Sequence, residues 1–114
     1  MTDYEPQAGD IVWTEFDPSL GREQRGRRPS LVLSPLDFFR ASRFVIVCPI
    51  TSRVRPFASS VVLPTGLAVS GEILTSHVRS IDTISRPILP AGCSAPDASL
   101  QEVRAKLALL IGAN

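Results

Sequence analysis

Arginines crowd one short stretch of this 114-residue chain. Arg22, Arg25, Arg27 and Arg28 lie within "GREQRGRRPSLVLSP", positions 21–35. A guanidinium is planar and donates hydrogen bonds in pairs, a geometry that suits phosphate. The formal net charge of the whole chain is only +1, so the cluster does not simply follow from a basic composition. Its side chains either follow phosphate groups or lie on a solvated loop.

Charge is also uneven along the whole sequence. Residues 1–21 hold five acidic residues and no Arg or Lys, whereas residues 22–55 hold eight arginines against Glu23 and Asp37. The middle third is therefore the expected contact region for an anionic partner.

The composition predicts a single globular domain over residues 1–114. Apolar residues make up 44% and charged residues 20%, which is typical of an ordinary folded protein. The N-terminus lacks a signal-peptide pattern, and no apolar run is long enough for a membrane helix. We therefore expect a cytoplasmic protein with no membrane contact.

The sulfur and imidazole groups argue against a metal site. Cys48 and Cys93 are far apart in sequence, and His77 is the only histidine. Such a set is poor for zinc or magnesium, so no metal and no cofactor is expected. Both thiols are expected to be reduced and partly buried.

The elements that would position these residues are mostly short strands. Strands are predicted at 9–16, 29–35, 43–52, 58–64 and 72–84, the last as one or two strands, and 43–52 as the sheet centre. Residues 17–28 read as a polar connection, and "LDFFRAS" (36–42) as one or two helical turns. Trp13, in the first strand, is expected in the core, and stacking on a nucleobase is the alternative.

The C-terminal segment predicts an amphipathic helix. Ser99 and Glu102 have capping-box spacing, and Gly112 is a plausible stop. One helical face would carry the apolar residues Leu100, Val103, Leu107, Leu110 and Ile111. About six short strands and one helix favour a mostly β fold with α, built as a strongly bent sheet or small barrel.

Four blocks in order carry a resemblance to a known family. They are "GDIVWTEFDPSLGREQRGRRPSLVLSP" (9–35), "CPITS" (48–52), "GEILTSHVRSID" (71–82) and the terminal "KLALLIG". Together they resemble the MazF/PemK (Kid) toxins of type II toxin–antitoxin systems. The resemblance implies a small SH3-like, CcdB/PemK-like barrel and a homodimer. It also implies a cognate antitoxin that blocks the RNA groove, with DNA contacted only through the antitoxin complex.

The same resemblance implies a metal-independent, sequence-specific endoribonuclease (an mRNA interferase) acting on single-stranded RNA. Its catalytic Arg directly before Pro falls on Arg28, its Pro-x-Thr threonine on Thr51, and the Glu of Gly-x-Glu-Gln on Glu23. Attack by the RNA's own 2′-OH would leave a 2′,3′-cyclic phosphate and a 5′-OH. Arg28 would stabilise the developing charge and Thr51 would donate a hydrogen bond. The general base stays open between Glu23 and His77.

Further residues are expected to contact RNA. They are Asp17, Arg22, Gln24, Arg25, Arg27, Ser52, Arg53, Arg55, Phe57, Ser76 and Arg79. Asp17 is equally compatible with opening a turn before Pro18. Arg53, Arg55 and Phe57 resemble a loop that grips RNA through charge and stacking.

One position departs from the family pattern. Ser76 and His77 stand where these toxins usually carry Asp-Gln, so general-base function would move to His77, the preferred RNA base would change, or catalysis would weaken. Two alternatives follow. One is an RNA-binding relic with weakened catalysis. The other is a CcdB-like, non-enzymatic gyrase inhibitor, although that activity uses a Trp-Gly-Ile end and this chain ends "LIGAN".

Overall fold

The protein is built on one antiparallel sheet. A computed structural model describes residues 3–15 and 27–113. Its strands there are β1 (Asp10–Glu15), β2 (Arg27–Val32), β3 (Phe44–Thr51), β4 (Val61–Val62), β5 (Glu72–Ile73), β6 (Arg79–Asp82) and β7 (Leu89–Ser94). The helices are α1 (Leu36–Ser42), α2 (Asp97–Leu110) and a 3₁₀ turn at Thr75–His77. The mostly β prediction with a C-terminal helix is confirmed.

β3 lies at the centre of this sheet, as predicted. The strand order is β4-β5-β3-β2-β1-β7, and β6 also pairs with β3. β6 pairs with the first half of β3 and β5 with its last two residues. The predicted segment 72–84 is therefore two strands separated by the 3₁₀ turn.

Each face of the sheet carries a buried apolar cluster, since side chains alternate between the two faces along each strand. α2 covers one face with Leu100 and Val103, which pack with Leu31, Cys48 and Ile50. The other face carries a second cluster of Val12, Val32, Val45, Val47 and Ile81. β3 contributes to both clusters, which explains its nearly continuous apolar sequence.

α2 begins two residues before the predicted cap. Pro96 is the N-cap residue, no side chain caps the helix, and Ser99 is buried within the first turn. The capping-box prediction is therefore wrong: Pro96 with its extended backbone starts the helix, and Asp97 supplies a favourable charge in the first turn. Gly112, at a φ of 73°, follows the helix end as expected.

Only part of the apolar face of α2 packs against the sheet. Leu100 and Val103 are buried and Leu107 is partly buried, but Leu110 and Ile111 are exposed. The predicted apolar face is therefore covered over its first half and exposed at its C-terminal end. Among the described residues, no helix has the length and apolar character needed to span a membrane.

Two predictions around β1 need correction. β7 was not predicted, because Pro90 and Gly92 argue against a strand, yet it pairs with β1 next to a register shift between Ile11 and Val12. Edge strands and bulges tolerate both residue types. Trp13 is half-buried and belongs to neither core cluster. It lies between Pro29 and Leu89 on the neighbouring strands.

Candidate active site

Arg28 and Thr51 come together where β2 begins and β3 ends. The register pairs Ser30 with Pro49 and Leu31 with Cys48. Continuing it by two residues places Arg28 opposite Thr51. Residues directly opposite each other in antiparallel strands have their side chains on the same face. Both residues, although 23 positions apart in sequence, line the same cleft.

β1 fixes the backbone at Arg28. Thr14 pairs with Arg28 in the β1–β2 register and is buried. Its hydroxyl donates to the Arg28 carbonyl at 3.3 Å, and its Oγ1 lies 3.2 Å from the Ser30 Oγ. This buried hydroxyl pair holds the strand from which the Arg28 side chain projects.

A polar cleft of about 610 Å³ opens at this junction. It is lined by Arg27, Arg28, Pro29, Ile50, Thr51, Ser52, Arg53 and Ser70. Three of these residues are arginines and none is acidic. The lining therefore favours an anion, and hydroxyl groups are available as further hydrogen-bond donors.

The Thr51 hydroxyl has a defined position. Its Oγ1 accepts a hydrogen bond from the Arg53 N–H at 3.1 Å. Because the oxygen acts as acceptor there, its own proton is available to a ligand. Thr51 also pairs with Glu72 on β5, so neighbours on both sides hold the end of β3.

The chain approaches Thr51 very closely through a glycine directly before β5. Gly71 has a φ of 137°, which side chains rarely adopt, and a Cβ there would overlap the Thr51 carbonyl oxygen. Only glycine permits this approach. Gly71 opens the block "GEILTSHVRSID", and its backbone conformation explains why that block starts with glycine.

Other reactive groups do not form a site of their own. Cys48 is free and buried, and burial raises the pKa of its thiol to about 12. The thiol is therefore protonated at neutral pH and a poor nucleophile. Within residues 3–15 and 27–113, no group of three or more His, Cys, Asp and Glu side chains could hold a metal ion.

The structure gathers five of the predicted site residues in the cleft: Arg27, Arg28, Thr51, Ser52 and Arg53. Arg27 and Arg28 lie in β2, so the prediction that they end a polar connection is wrong. Strand pairing with Glu15 and Thr14 holds them in the sheet. Arg55 and Phe57 lie in the exposed loop after β3 and do not line the cleft.

Three predicted residues lie elsewhere. Ser76 and His77 are exposed on the 3₁₀ turn, and Arg79 is exposed on β6 opposite Val47. They belong to the side of β3 away from β2, and none lines the cleft. Asp17, Arg22, Glu23, Gln24 and Arg25 fall outside the described residues.

Sequence reasoning missed two residues here. Ser70 lines the cleft, and Glu72, opposite Thr51, is only 1% exposed. The sequence does carry a signal for Glu72: an acidic residue directly before an apolar pair, in "GEIL". Its cross-strand partner could not be read from the sequence.

The fold and the sequence together match a known class of small toxins. The family model described as "PemK-like, MazF-like toxin of type II toxin-antitoxin system" matches residues 7–111. The chain therefore belongs to the PemK/MazF toxin family.

Named relatives agree over nearly the full length. The endoribonuclease toxin MazF of Escherichia coli K12 is 37% identical over 109 residues, which is 96% of each chain. Crystal structures from Deinococcus radiodurans are also similar. The structure of MazF alone is 45% identical and has a TM-score of 0.86. The match covers 96% of this chain and 99% of the MazF chain. A chain of a MazE–MazF structure, also 45% identical, has a TM-score of 0.89, and the match covers 98% of this chain and 100% of that chain. The predicted SH3-like, PemK-like fold class is confirmed.

Proposed function

We propose that this toxin is an endoribonuclease that cuts single-stranded RNA in the cleft between Arg28 and Thr51. The observation that carries the proposal is that Arg28 and Thr51 line the same cleft, together with two further arginines, Arg27 and Arg53. Relatives named endoribonuclease support the same reaction.

The reaction is an internal transfer at phosphorus. The 2′-oxygen forms a bond to the phosphorus, the bond to the 5′-oxygen breaks, and the products are a 2′,3′-cyclic phosphate and a 5′-OH. One proton leaves the 2′-OH and one is delivered to the 5′-oxygen. Negative charge grows on the non-bridging oxygens in between, and stabilising that charge is the main task of the site.

Arg28 and Thr51 suit that task. A guanidinium stays protonated in proteins, so Arg28 acts as a fixed donor and not as a proton carrier. The Thr51 hydroxyl, held by the Arg53 N–H, donates to a non-bridging oxygen. Arg27 and Arg53, both exposed at the same cleft, hold the neighbouring phosphates.

The general base is proposed to be Glu23 or His77. Glu23 lies outside the described residues. His77 is exposed and does not line the Arg28–Thr51 cleft, so as a base it would need the reacting 2′-OH to come within hydrogen-bond reach of its ring. Comparing the pH–rate profiles of Glu23→Gln and His77→Ala distinguishes the two.

The proposal includes the expected partners and location. A cognate antitoxin would neutralise the toxin, the toxin would act as a homodimer in the cytoplasm, and DNA would be met only through the antitoxin. The MazE–MazF structures of the Deinococcus relative support the antitoxin partner. The exposed Leu110 and Ile111 at the end of α2 support protein contacts on this side.

The first test compares two Arg→Ala variants on a long, unstructured RNA in EDTA. Arg28→Ala is expected to lower kcat by on the order of 10²–10³, because it removes the charge-stabilising donor. Arg40→Ala is the control, since Arg40 forms an exposed ion pair with Glu5 outside the cleft. The wild type and the control should cut at the same discrete sites and leave 5′-OH ends.

Two results would contradict this proposal. Equal cleavage by Arg28→Ala and wild type would remove Arg28 from the reaction. Intact RNA with folded, antitoxin-free wild type would favour the alternative of an RNA-binding relic weakened at Ser76. Direct RNA binding by that same sample would then separate a relic from a protein with no RNA function.

A further inference from the structure

Glu72 is a buried carboxylate at the edge of the cleft. It is 1% exposed, on β5. Burying a charged carboxylate is costly unless hydrogen-bond donors or cations compensate it. The position is thus expected to have a specific role, and its contacts indicate what that role is.

The donors to Glu72 come from the β3–β4 loop, residues 52–60. The Arg55 N–H donates to its Oε1 at 2.7 Å, and the Ser60 hydroxyl donates to its Oε2. One carboxylate oxygen therefore binds the middle of the loop, and the other binds its end. Hydrogen bonds to an ionised acceptor are roughly twice as strong as neutral ones.

Three further hydrogen bonds hold the loop. The Phe57 N–H donates to the Ser60 Oγ at 3.1 Å, so the stretch between Arg55 and Ser60 is closed on itself. The Lys106 ammonium on α2 donates to the Ser60 carbonyl at 2.8 Å. At its start, the Arg53 N–H is bonded to the Thr51 hydroxyl. Between the loop start at Arg53 and its end at Ser60, Glu72 binds the Arg55 N–H.

The residues that this arrangement presents outward are basic and aromatic. Arg53, Arg55 and Phe57 are all exposed, and Arg53 lines the cleft. The Arg55 backbone is bound to Glu72 while its side chain remains at the surface. The buried carboxylate thus orders a loop whose exposed side chains suit an RNA strand.

We propose that Glu72 is a positioning residue for substrate: its carboxylate fixes the β3–β4 loop so that Arg53, Arg55 and Phe57 hold the RNA beside Thr51. This inference rests on the proposed ribonuclease function. Glu72 does not touch the reacting atoms; it lowers the cost of ordering the loop when RNA binds.

The test compares Glu72→Val with Glu72→Gln in the full chain. Valine removes both acceptors, whereas glutamine retains an oxygen for the Arg55 N–H and an amide for the Ser60 hydroxyl. Glu72→Val should raise KM roughly tenfold and change kcat much less, since a lost charged hydrogen bond is worth about that factor. Glu72→Gln should restore most of the affinity.

Salt dependence separates positioning from a general loss of stability. For single-stranded nucleic acid, each phosphate contact contributes about 0.7 to the slope of log affinity against log salt. Glu72→Val should reduce that slope by about 0.7 to 1.4, corresponding to Arg53 and Arg55. Amide hydrogen exchange across residues 53–60 should accelerate. Glu5→Gln, which breaks an exposed ion pair with Arg40, should change none of these quantities.

The outcomes distinguish the two proposals. If Arg28→Ala is inactive but folded Glu72→Val keeps the wild-type KM and salt slope, only the positioning role is overturned. If Arg28→Ala cuts like the wild type, the proposed function itself fails. Should Glu72→Val not fold, Ser60→Ala decides. It removes one donor and must also raise KM and flatten the salt slope, and wild-type values there would overturn the role.

Discussion

The proposed role of Thr51 in the reaction depends on the proton of its side-chain hydroxyl. Its Oγ1 accepts the Arg53 N–H at 3.1 Å, so the remaining O–H can point at a phosphate beside Arg28. The sequence motif predicted this threonine and Arg28. It did not predict Glu72, because the cross-strand pairing between Thr51 and Glu72 arises only when distant segments fold together.

Replacing Thr51 tests the role of that proton. Thr51→Val keeps the shape and removes the hydroxyl, and it should lower kcat by on the order of 10² with little change in KM. Thr51→Ser keeps the hydroxyl and should retain most of the activity. The measurement is single-turnover cleavage under saturating enzyme. Equal rates for the valine variant and the wild type would show that Thr51 makes no contribution to the chemistry.

At the scale of elements, the strongly patterned segments were predictable and the irregular ones were not. β3 and α1 were predicted within a residue of their bounds, because β3 is a nearly continuous apolar run and Pro35 marks the start of α1. β7 was missed because Pro90 and Gly92 contradict strand propensity, while pairing with β1 overrides that preference. The start of α2 was misplaced because Ser99 has the residue type of a cap but a buried position inside the helix.

The approach of β5 to β3 gives an element-scale prediction. Gly71→Ala drives a Cβ into the Thr51 carbonyl oxygen, so the strand end that carries Thr51 must shift. We expect the free energy of unfolding to fall by about 2–5 kcal/mol, together with a loss of activity. Chemical denaturation and RNA cleavage measure the two effects.

Gly66→Ala is the matched control for this change. Gly66 also has a positive φ, 97°, but a methyl group added there would meet open space, with no contact inside 4 Å. It should cost only about 1 kcal/mol of backbone strain and leave activity intact. If both variants lose the same stability, the close approach to Thr51 has no energetic consequence.

For the molecule as a whole, the charge pattern of the sequence has a clear physical outcome. Arg27 and Arg28 on β2 meet Arg53 after β3 in one cleft, so part of the excess of arginine in the middle third becomes a locally positive surface. Family motifs predicted the fold and the central pair of side chains. They did not indicate that Ser76, His77 and Arg79 would lie off this cleft, because that depends on where the 3₁₀ turn places residues between β5 and β6.

The most direct test of the account is whether cleavage needs the substrate's own 2′-OH. Once the cut site is mapped, an oligonucleotide is made with one deoxynucleotide immediately 5′ of the scissile phosphate. Its single-turnover cleavage is then compared with that of the all-ribose strand in EDTA. The account predicts that the all-ribose strand is cut to a 2′,3′-cyclic phosphate while the substituted strand binds and stays intact. Cleavage of the substituted strand at that phosphate would contradict internal attack beside Arg28 and Thr51.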